Sequence, residues 1–502
     1  MIRRKIAVLV LTGSLAIIAA TAQETSSKPG NPQSGVLPLT TKSAQVRQLV
    51  EQAWVLALDQ VEQQEAAEVL QKAVAIDPTF AMGHELLAQT SLDPAEQVKE
   101  QRQAFLMRSH AGPAEQLVID WYQNAADHKL IPAITKMNEL LSQYPHDKWV
   151  VYLANWWLTQ QTQYERAAAV YEHSGITDSP GLMNNTAYTY AYMRQFDKAF
   201  ALMDQYIAAL PRDPNPQDSY AEILRLAGHF DQSIEHYREA LAIDSGFYSS
   251  QFGIADTYSL MGDQVRARQE YEIGFQKFPL PELHRIQWQT REAITFVREE
   301  DYQKADRAFL AIAKDAHGKN QSQVEADTYR LMAMYQKDPK RALVLLNKAD
   351  AAARVARNAL PAAIAQERAQ ILRARVELAV RSGDQQTANV LLARLSKMSE
   401  SSNDKIIETA DHGAQGAALF SEHKYKDAIP YLEDDINNPL SLNLLATAYQ
   451  KAGDAPEAKH TTETLVSLND PTLEQALIVP AFRKCYEDPS CSSGFKNAAL
   501  KK

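Results

Sequence analysis

Apolar residues and alanines recur every three to four positions from Ala44 to about Pro471. The periodic segments are roughly 12–15 residues long, and short turns such as "GD", "GH" and "DP" separate them. This spacing gathers the apolar side chains on one face of an α-helix. The strict alternation of apolar and polar residues that is typical of a β-strand is absent from the sequence. The pattern therefore predicts an all-helical protein.

The helical segments repeat with a period of about 34 residues. Residues 228–245 align with residues 262–279, and the alignment pairs Gly228 with Gly262 and Tyr237 with Tyr271. A small residue precedes each of these tyrosines by four positions, where it lets two antiparallel helices approach closely. The larger side chain fills the remaining gap, while glycine and proline end the helices.

These residues resemble the tetratricopeptide repeat. The small residues of its second helix are Ala199, Ser233 and Ala267, and three units run in register over 180–281. The segment "EAAEVLQKAVAIDP" (65–78) has the same character. The resemblance implies an all-α fold, a right-handed α-solenoid of about twelve antiparallel helical hairpins. It also implies a protein or peptide partner, with no catalytic residue, cofactor or metal.

The resemblance further implies that one stripe of each first helix faces a concave groove. On the repeat register this stripe holds aromatic, amide and acidic side chains, which suit a peptide or a partner helix. The alternative is a solvated helix face. The candidate groove residues are Trp157, Asn184, Tyr188, Tyr192, Asp218, Glu222, Arg225, Phe252 and Asp256.

Tryptophans are concentrated in "KWVVYLANWW" (148–157). On a helix, Trp149, Tyr152 and Trp156 share one face, which favours a role in the core. Trp157 lies about 100° away around the helix. The resemblance implies that this direction faces the inner surface, so Trp157 is the better ligand candidate.

The N-terminus has the pattern of a secretory signal. Three basic residues precede a short apolar segment, and Ala20-Thr21-Ala22 forms a small-x-small cleavage site. We expect residues 1–22 to be a Sec signal peptide and residues 23–43 a flexible leader. An uncleaved anchor is the alternative, although the apolar segment is shorter than the ~20 residues that a span needs. Export places the mature protein in the periplasm or outside the cell, with no membrane span.

The periodic region is interrupted once. Helices between residues 350 and 405 look longer than the others, and Pro361 lies among them. We expect an N-terminal array over 44–356, a C-terminal array over 362–472 and a tail over 473–502. Cys485 and Cys491 are the two cysteines of the chain. An oxidising compartment favours a disulfide between them, and two free thiols are the alternative.

Charge and motifs narrow the function. The net charge is -10, and no basic block follows residue 22, so we expect no nucleic-acid partner. The segment "HELLA" (84–88) lacks the second histidine of a zinc protease. The favoured function is an exported, non-catalytic scaffold that binds proteins through its groove. The alternatives are an envelope assembly or secretion factor with an obligate partner, and a glycan-binding protein that uses Trp157, Tyr188 and Tyr192.

Overall fold

The computed structural model describes residues 35–356 and 359–487, the last three as backbone. The described residues form α-helices joined by short turns, without a β-strand among them. The helices are α1 (Ala44–Trp54), α2 (Gln63–Ile76), α3 (Ala81–Thr90), α4 (Pro94–Met107), α5 (Pro113–Ala126), α6 (Leu130–Gln143), α7 (Lys148–Gln160), α8 (Tyr164–Ser174), α9 (Pro180–Tyr192), α10 (Phe196–Ala209), α11 (Asn215–Ala227), α12 (Phe230–Ile243), α13 (Tyr248–Met261), α14 (Gln264–Lys277), α15 (Glu282–Arg298), α16 (Tyr302–Gly318), α17 (Ser322–Met334), α18 (Pro339–Val355), α19 (Pro361–Arg381), α20 (Gln385–Ser402), α21 (Lys405–Ser421), α22 (Tyr425–Glu433), α23 (Pro439–Ala452), α24 (Ala455–Val466) and α25 (Leu473–Glu487).

Consecutive helices pair as hairpins, from α1–α2 through α23–α24, and α25 follows the last pair. The predicted all-α solenoid of about twelve hairpins is therefore confirmed. The first helices of neighbouring hairpins also contact one another. Examples are the contacts between α7 and α9 and between α19 and α21. We call the side of the solenoid formed by these first helices the inner surface.

The recurring small and aromatic residues pack as the repeat pattern predicts. Ala199, Ser233 and Ala267 have no exposed surface, and Tyr237 and Tyr271 are fully buried. Close packing of this kind leaves no room for added atoms between paired helices. The small residues therefore set the distance between the helices of each hairpin.

Glycine ends several first helices because the chain must turn sharply there. Gly228 and Gly262 close α11 and α13 in the left-handed conformation, with φ of 88° and 97°. Their N–H groups donate to carbonyls of the last helical turn, which completes the cap. The glycines that separate the helical segments in the sequence, such as Gly228 and Gly262, are therefore helix C-caps.

Distant parts of the chain meet as the solenoid curves. The His128 ring, after α5, bonds to the Asp404 carboxylate at the start of α21, with 3.0 Å between Nε2 and Oδ2. Residues 467–472 cross to the inner surface, where Asn469 Nδ2 donates to the Leu226 carbonyl over 3.2 Å. The described residues from Val36 to Glu487 belong to one compact unit. The division into two arrays stays a prediction.

Two segments are more ordered than the sequence indicates. The described end of the predicted flexible leader lies on the first hairpins, where Leu37 is 3% exposed and its N–H donates to Asp147 over 2.6 Å. Its apolar side chain and backbone both find partners, which composition alone does not reveal. The start of the predicted tail is α25, which buries Leu473 and Val479. The predicted signal peptide lies outside the described residues, as do Cys491 and the side chain of Cys485, so the predicted disulfide stays a prediction.

Candidate functional site in the interior

Side chains of the predicted groove stripe belong to a connected polar network across four first helices. The Tyr188 hydroxyl on α9 donates to Glu222 on α11 over 2.8 Å. Glu222 also accepts from Arg225 over 2.7 Å, and Arg225 lies 3.5 Å from Asp256 on α13. Asp256 in turn accepts from Arg291 on α15 over 2.7 Å. The network ties α9, α11, α13 and α15 together.

Several predicted groove residues are not available to a partner. Arg225 is 2% exposed, and Phe252 and Asp256 have no exposed surface. Phe252 stacks on Trp288 with 4.9 Å between ring centroids, and Asp256 also accepts from the Tyr271 hydroxyl. The prediction that these three residues contact a ligand is not supported. Because neighbouring first helices pack closely, Arg225 and Asp256 pair with each other, and Phe252 stacks on Trp288.

The remaining members of the stripe differ in accessibility. Tyr192 is 39% exposed and stacks on Tyr164 at 5.3 Å. Asp218 is half-buried and accepts from Ser250 over 2.6 Å, and burial raises the pKa of Asp218 to about 7. Asn184 is 6% exposed, and its side-chain oxygen has no hydrogen-bond donor among the described residues. Tyr192 is thus the most open of the predicted set.

The tryptophans of α7 differ from the prediction at Trp157. Trp157, the predicted ligand residue, is 5% exposed and packs edge-on against Trp121 of α5 at 5.6 Å. Trp156, assigned to the core from sequence, packs against the core but is only half-buried, and it also lines a cavity. Trp149 is in the core as predicted and stacks on Trp54 of α1 at 4.7 Å.

We call the space beside Trp156 the aromatic cavity. It has a volume of about 460 Å³, and its lining includes Trp54, Tyr152 and Trp156 together with glutamines from α3 and α4. Flat rings and amide groups suit a ligand with both apolar and polar atoms.

A second and larger space, the charged cavity, has a volume of about 790 Å³. Its walls come from α15, α17 and α19, from the start of α4 and from residues 471–474. Neighbouring residues of the chain line the two cavities: Asp93–Ala95 and Ala359 line the charged cavity, and Ser91, Leu92, Gln97 and Leu360 line the aromatic cavity. Sequence analysis missed the charged cavity because residues 471–474 complete it, and they follow the last hairpin.

One group of side chains has the donor types of a metal site. The ligand atoms of Glu408, His412 and Asp434 lie within 4.8 Å of one another. His412 Nδ1 is 2.7 Å from Asp434, and Glu408 has the Lys405 ammonium at 3.5 Å. These side chains thus already have partners of their own. Across residues 35–356 and 359–487, no helix is both long and apolar enough to span a bilayer.

Comparisons with solved structures return helical-repeat proteins. A tetratricopeptide repeat protein from Parabacteroides merdae is 13% identical, with a TM-score of 0.36, and the match covers 61% of this chain and 100% of that one. Cut9, from the APC/C hetero-tetramer Cut9–Hcn1, is 12% identical, with a TM-score of 0.39 and coverage of 86% and 75%. The pilus biogenesis factor PilW is 15% identical, with a TM-score of 0.29 and coverage of 48% and 96%. No protein-family model and no curated protein sequence matches the chain.

Proposed function

We propose that this chain, a tetratricopeptide-repeat solenoid, is an exported scaffold that binds a segment of a partner protein in its interior. The aromatic cavity is the observation that carries the proposal. Trp156 presents a half-buried ring there, next to the rings of Trp54 and Tyr152 in the same lining. A partner segment that inserts one apolar side chain would cover this aromatic surface.

The surroundings of the cavity support a peptide-like ligand. Gln97 on α4 donates to the Ser91 carbonyl over 2.7 Å, and Gln101 donates to Glu85 over 2.8 Å. These bonds hold the two amide groups of the lining in place. A wall of fixed amides beside aromatic surface gives both affinity and orientation to an extended backbone. Export rests on the predicted signal peptide, and the proposal includes no catalytic step.

The test compares three versions of the mature chain from Gln23 onward as bait for envelope extracts of the source cells. Trp156→Leu keeps an apolar side chain but removes the ring, and we expect at least about tenfold less captured partner. Phe105→Ala is the matched control, because Phe105 lies on the second helix α4 and is 50% exposed. Circular dichroism verifies that both variants fold. Capture of the same partners in equal amounts by Trp156→Leu would overturn the proposal.

A further inference from the structure

One arginine of the first helices lacks a counter-ion in the part of the chain that the structure describes. Arg298 belongs to the last turn of α15 and is half-buried. Its Nε and Nη2 atoms are buried without an acceptor, whereas Nη1 lies outside this buried set and is the nitrogen that a ligand can reach. Buried charges in folded proteins are normally paired, because a partner must offset the loss of hydration. An unpaired guanidinium therefore indicates a missing ion.

The carboxylate that acts on Arg298 is committed to other groups. Asp256 of α13 accepts from Arg291 over 2.7 Å and lies 3.5 Å from Arg225. The same carboxylate also accepts from the Tyr271 hydroxyl. Because Asp256 already serves two guanidiniums and a hydroxyl, it does not offset the charge of Arg298.

A second guanidinium adds to the positive potential at this place. The helix α25 packs on α15, and its Arg483 donates to the Val466 carbonyl over 2.7 Å. Burial lowers the pKa of Arg298 to about 10, and the positive charge of Arg483 lowers this pKa as well, while Tyr271 and Asp256 oppose both effects. The guanidinium is still charged at neutral pH, so its surroundings favour a negative ligand.

We propose that Arg298 binds an oxyanion, a carboxylate or phosphate group that accepts a hydrogen bond from Nη1 where α15 meets α25. The charge of a guanidinium is delocalised, so an anion at Nη1 also offsets the charge at the buried Nε and Nη2. Arginine forms strong charge-assisted hydrogen bonds with both kinds of oxyanion. The oxyanion can be a free ion or an acidic side chain of a bound segment. Other residues line the aromatic cavity, so this site is independent of the proposed function.

The position of Arg298 also allows a purely structural role. A cation in the last turn of a helix interacts favourably with the helix dipole. In that case Arg298→Met would destabilise the chain in any buffer, because the interaction needs no ligand. At an empty anion site the same substitution removes an uncompensated buried charge. The melting temperature without oxyanions should then stay the same or rise.

Isothermal titration calorimetry and thermal unfolding of the mature chain, in Tris-chloride at constant ionic strength, test the proposal. The probes are inorganic phosphate and a blocked Ala-Glu-Ala tripeptide, and blocked Ala-Gln-Ala is the uncharged comparison. We expect at least one oxyanion to bind about tenfold or more tighter than the glutamine peptide, and Arg298→Met to weaken that binding by about tenfold. Arg394→Met, at an exposed position of α20, is the charge-matched control and should stay within about twofold.

Each outcome assigns the site or removes it. Binding of phosphate alone assigns the site to a free ion, binding of the glutamate peptide alone assigns it to an acidic side chain of a partner, and binding of both supports a general oxyanion site. Equal binding of the glutamine peptide, or unchanged binding by Arg298→Met, overturns the proposal. A lower melting temperature of Arg298→Met in Tris-chloride also overturns it, since the guanidinium then already has a partner. Capture of the partner by Trp156→Leu is a separate readout, so either proposal can fail alone.

Discussion

A single buried carboxyl group shows how the interior of this protein differs from an ordinary apolar core. Glu85 on α3 has no exposed surface and accepts hydrogen bonds of 2.8 Å from Gln89 and from Gln101. Burial raises the pKa of Glu85 to about 8, and the two glutamine bonds offset only part of that rise. The carboxyl is therefore largely protonated at neutral pH, although it is ionised in the unfolded chain.

This difference predicts a pH-dependent loss of stability. Between an unfolded pKa near 4.5 and a folded pKa of about 8, the folded state holds a proton that the unfolded state releases. The free energy of unfolding contributed by Glu85 therefore falls as the pH rises through that window. Glu85→Gln should match the unaltered chain at pH 4.5 and exceed it by roughly 1–4 kcal/mol at pH 8.

Urea denaturation at both pH values measures the effect, with Glu68→Gln as an exposed control on α2. The control should show no comparable gain at pH 8, because Glu68 is exposed to solvent in the folded chain. A Glu85→Gln chain that is less stable than the unaltered protein at pH 8 would show that the buried carboxyl is charged and favourable there.

At the scale of helices, packing between first and second helices sets a strict limit on side-chain size. A Cβ atom added to Gly253 of α13 would lie 2.3 Å from the ring of Tyr237 on α12. The ring is fully buried and has no free space to move into. Gly253→Ala should therefore cost about 1–3 kcal/mol, because it overpacks the contact.

The chain offers a matched control for this substitution. Gly318, the last residue of α16, has no atom within 4 Å of an added Cβ. Gly318→Ala should leave the stability unchanged or raise it by up to about 1 kcal/mol, because alanine favours the helix. Thermal unfolding of both variants is the measurement. Equal melting temperatures would mean that α12 and α13 can shift apart at little cost.

Sequence periodicity predicts elements better than it predicts surfaces. The small and aromatic residues that recur every 34 or so positions, such as Ala267 and Tyr271, are buried as expected. It is harder to predict which residues line the inner face. Two adjacent residues in the sequence can lie one in a cavity lining and the other in the core. Trp157 packs against Trp121 of α5, whereas its neighbour Trp156 lines a cavity. The helices that pack against α7 decide this difference, and no local pattern encodes it.

At the scale of the whole molecule, the interior is completed by contacts that the repeat period cannot predict. His128 and Asp404 meet from hairpins that are far apart in sequence, and Gln366 bonds to the same carboxylate over 3.0 Å. Burial alone would raise the pKa of Asp404, but the bonds from His128 and Gln366 outweigh it and lower the pKa. A repeat contacts its neighbours by rule, whereas these contacts depend on the summed curvature of many repeats.

The helix α25 makes the most extensive of these distant contacts. Leu473 and Ala476 are buried in the same core cluster as Ile294 of α15, Phe309 of α16 and Met332 of α17. The C-terminal helix therefore protects hairpins that precede it by more than a hundred residues. A chain that ends at Val466 should lose amide protection in α15 and α17 as well as near its new end, by at least about tenfold.

Hydrogen exchange measured by mass spectrometry distinguishes this arrangement from a simple linear array. In a linear array, loss of the last helix would affect only α23 and α24, because each repeat depends on its neighbours alone. In the arrangement described here, α15 and α17 exchange faster while α5–α8 keep their protection, since those hairpins have their own core around Trp121 and Leu140. Unchanged exchange in α15 would show that α25 rests on these hairpins without stabilising them. The truncation at Val466 would also open the charged cavity, because residues 471–474 form one of its walls.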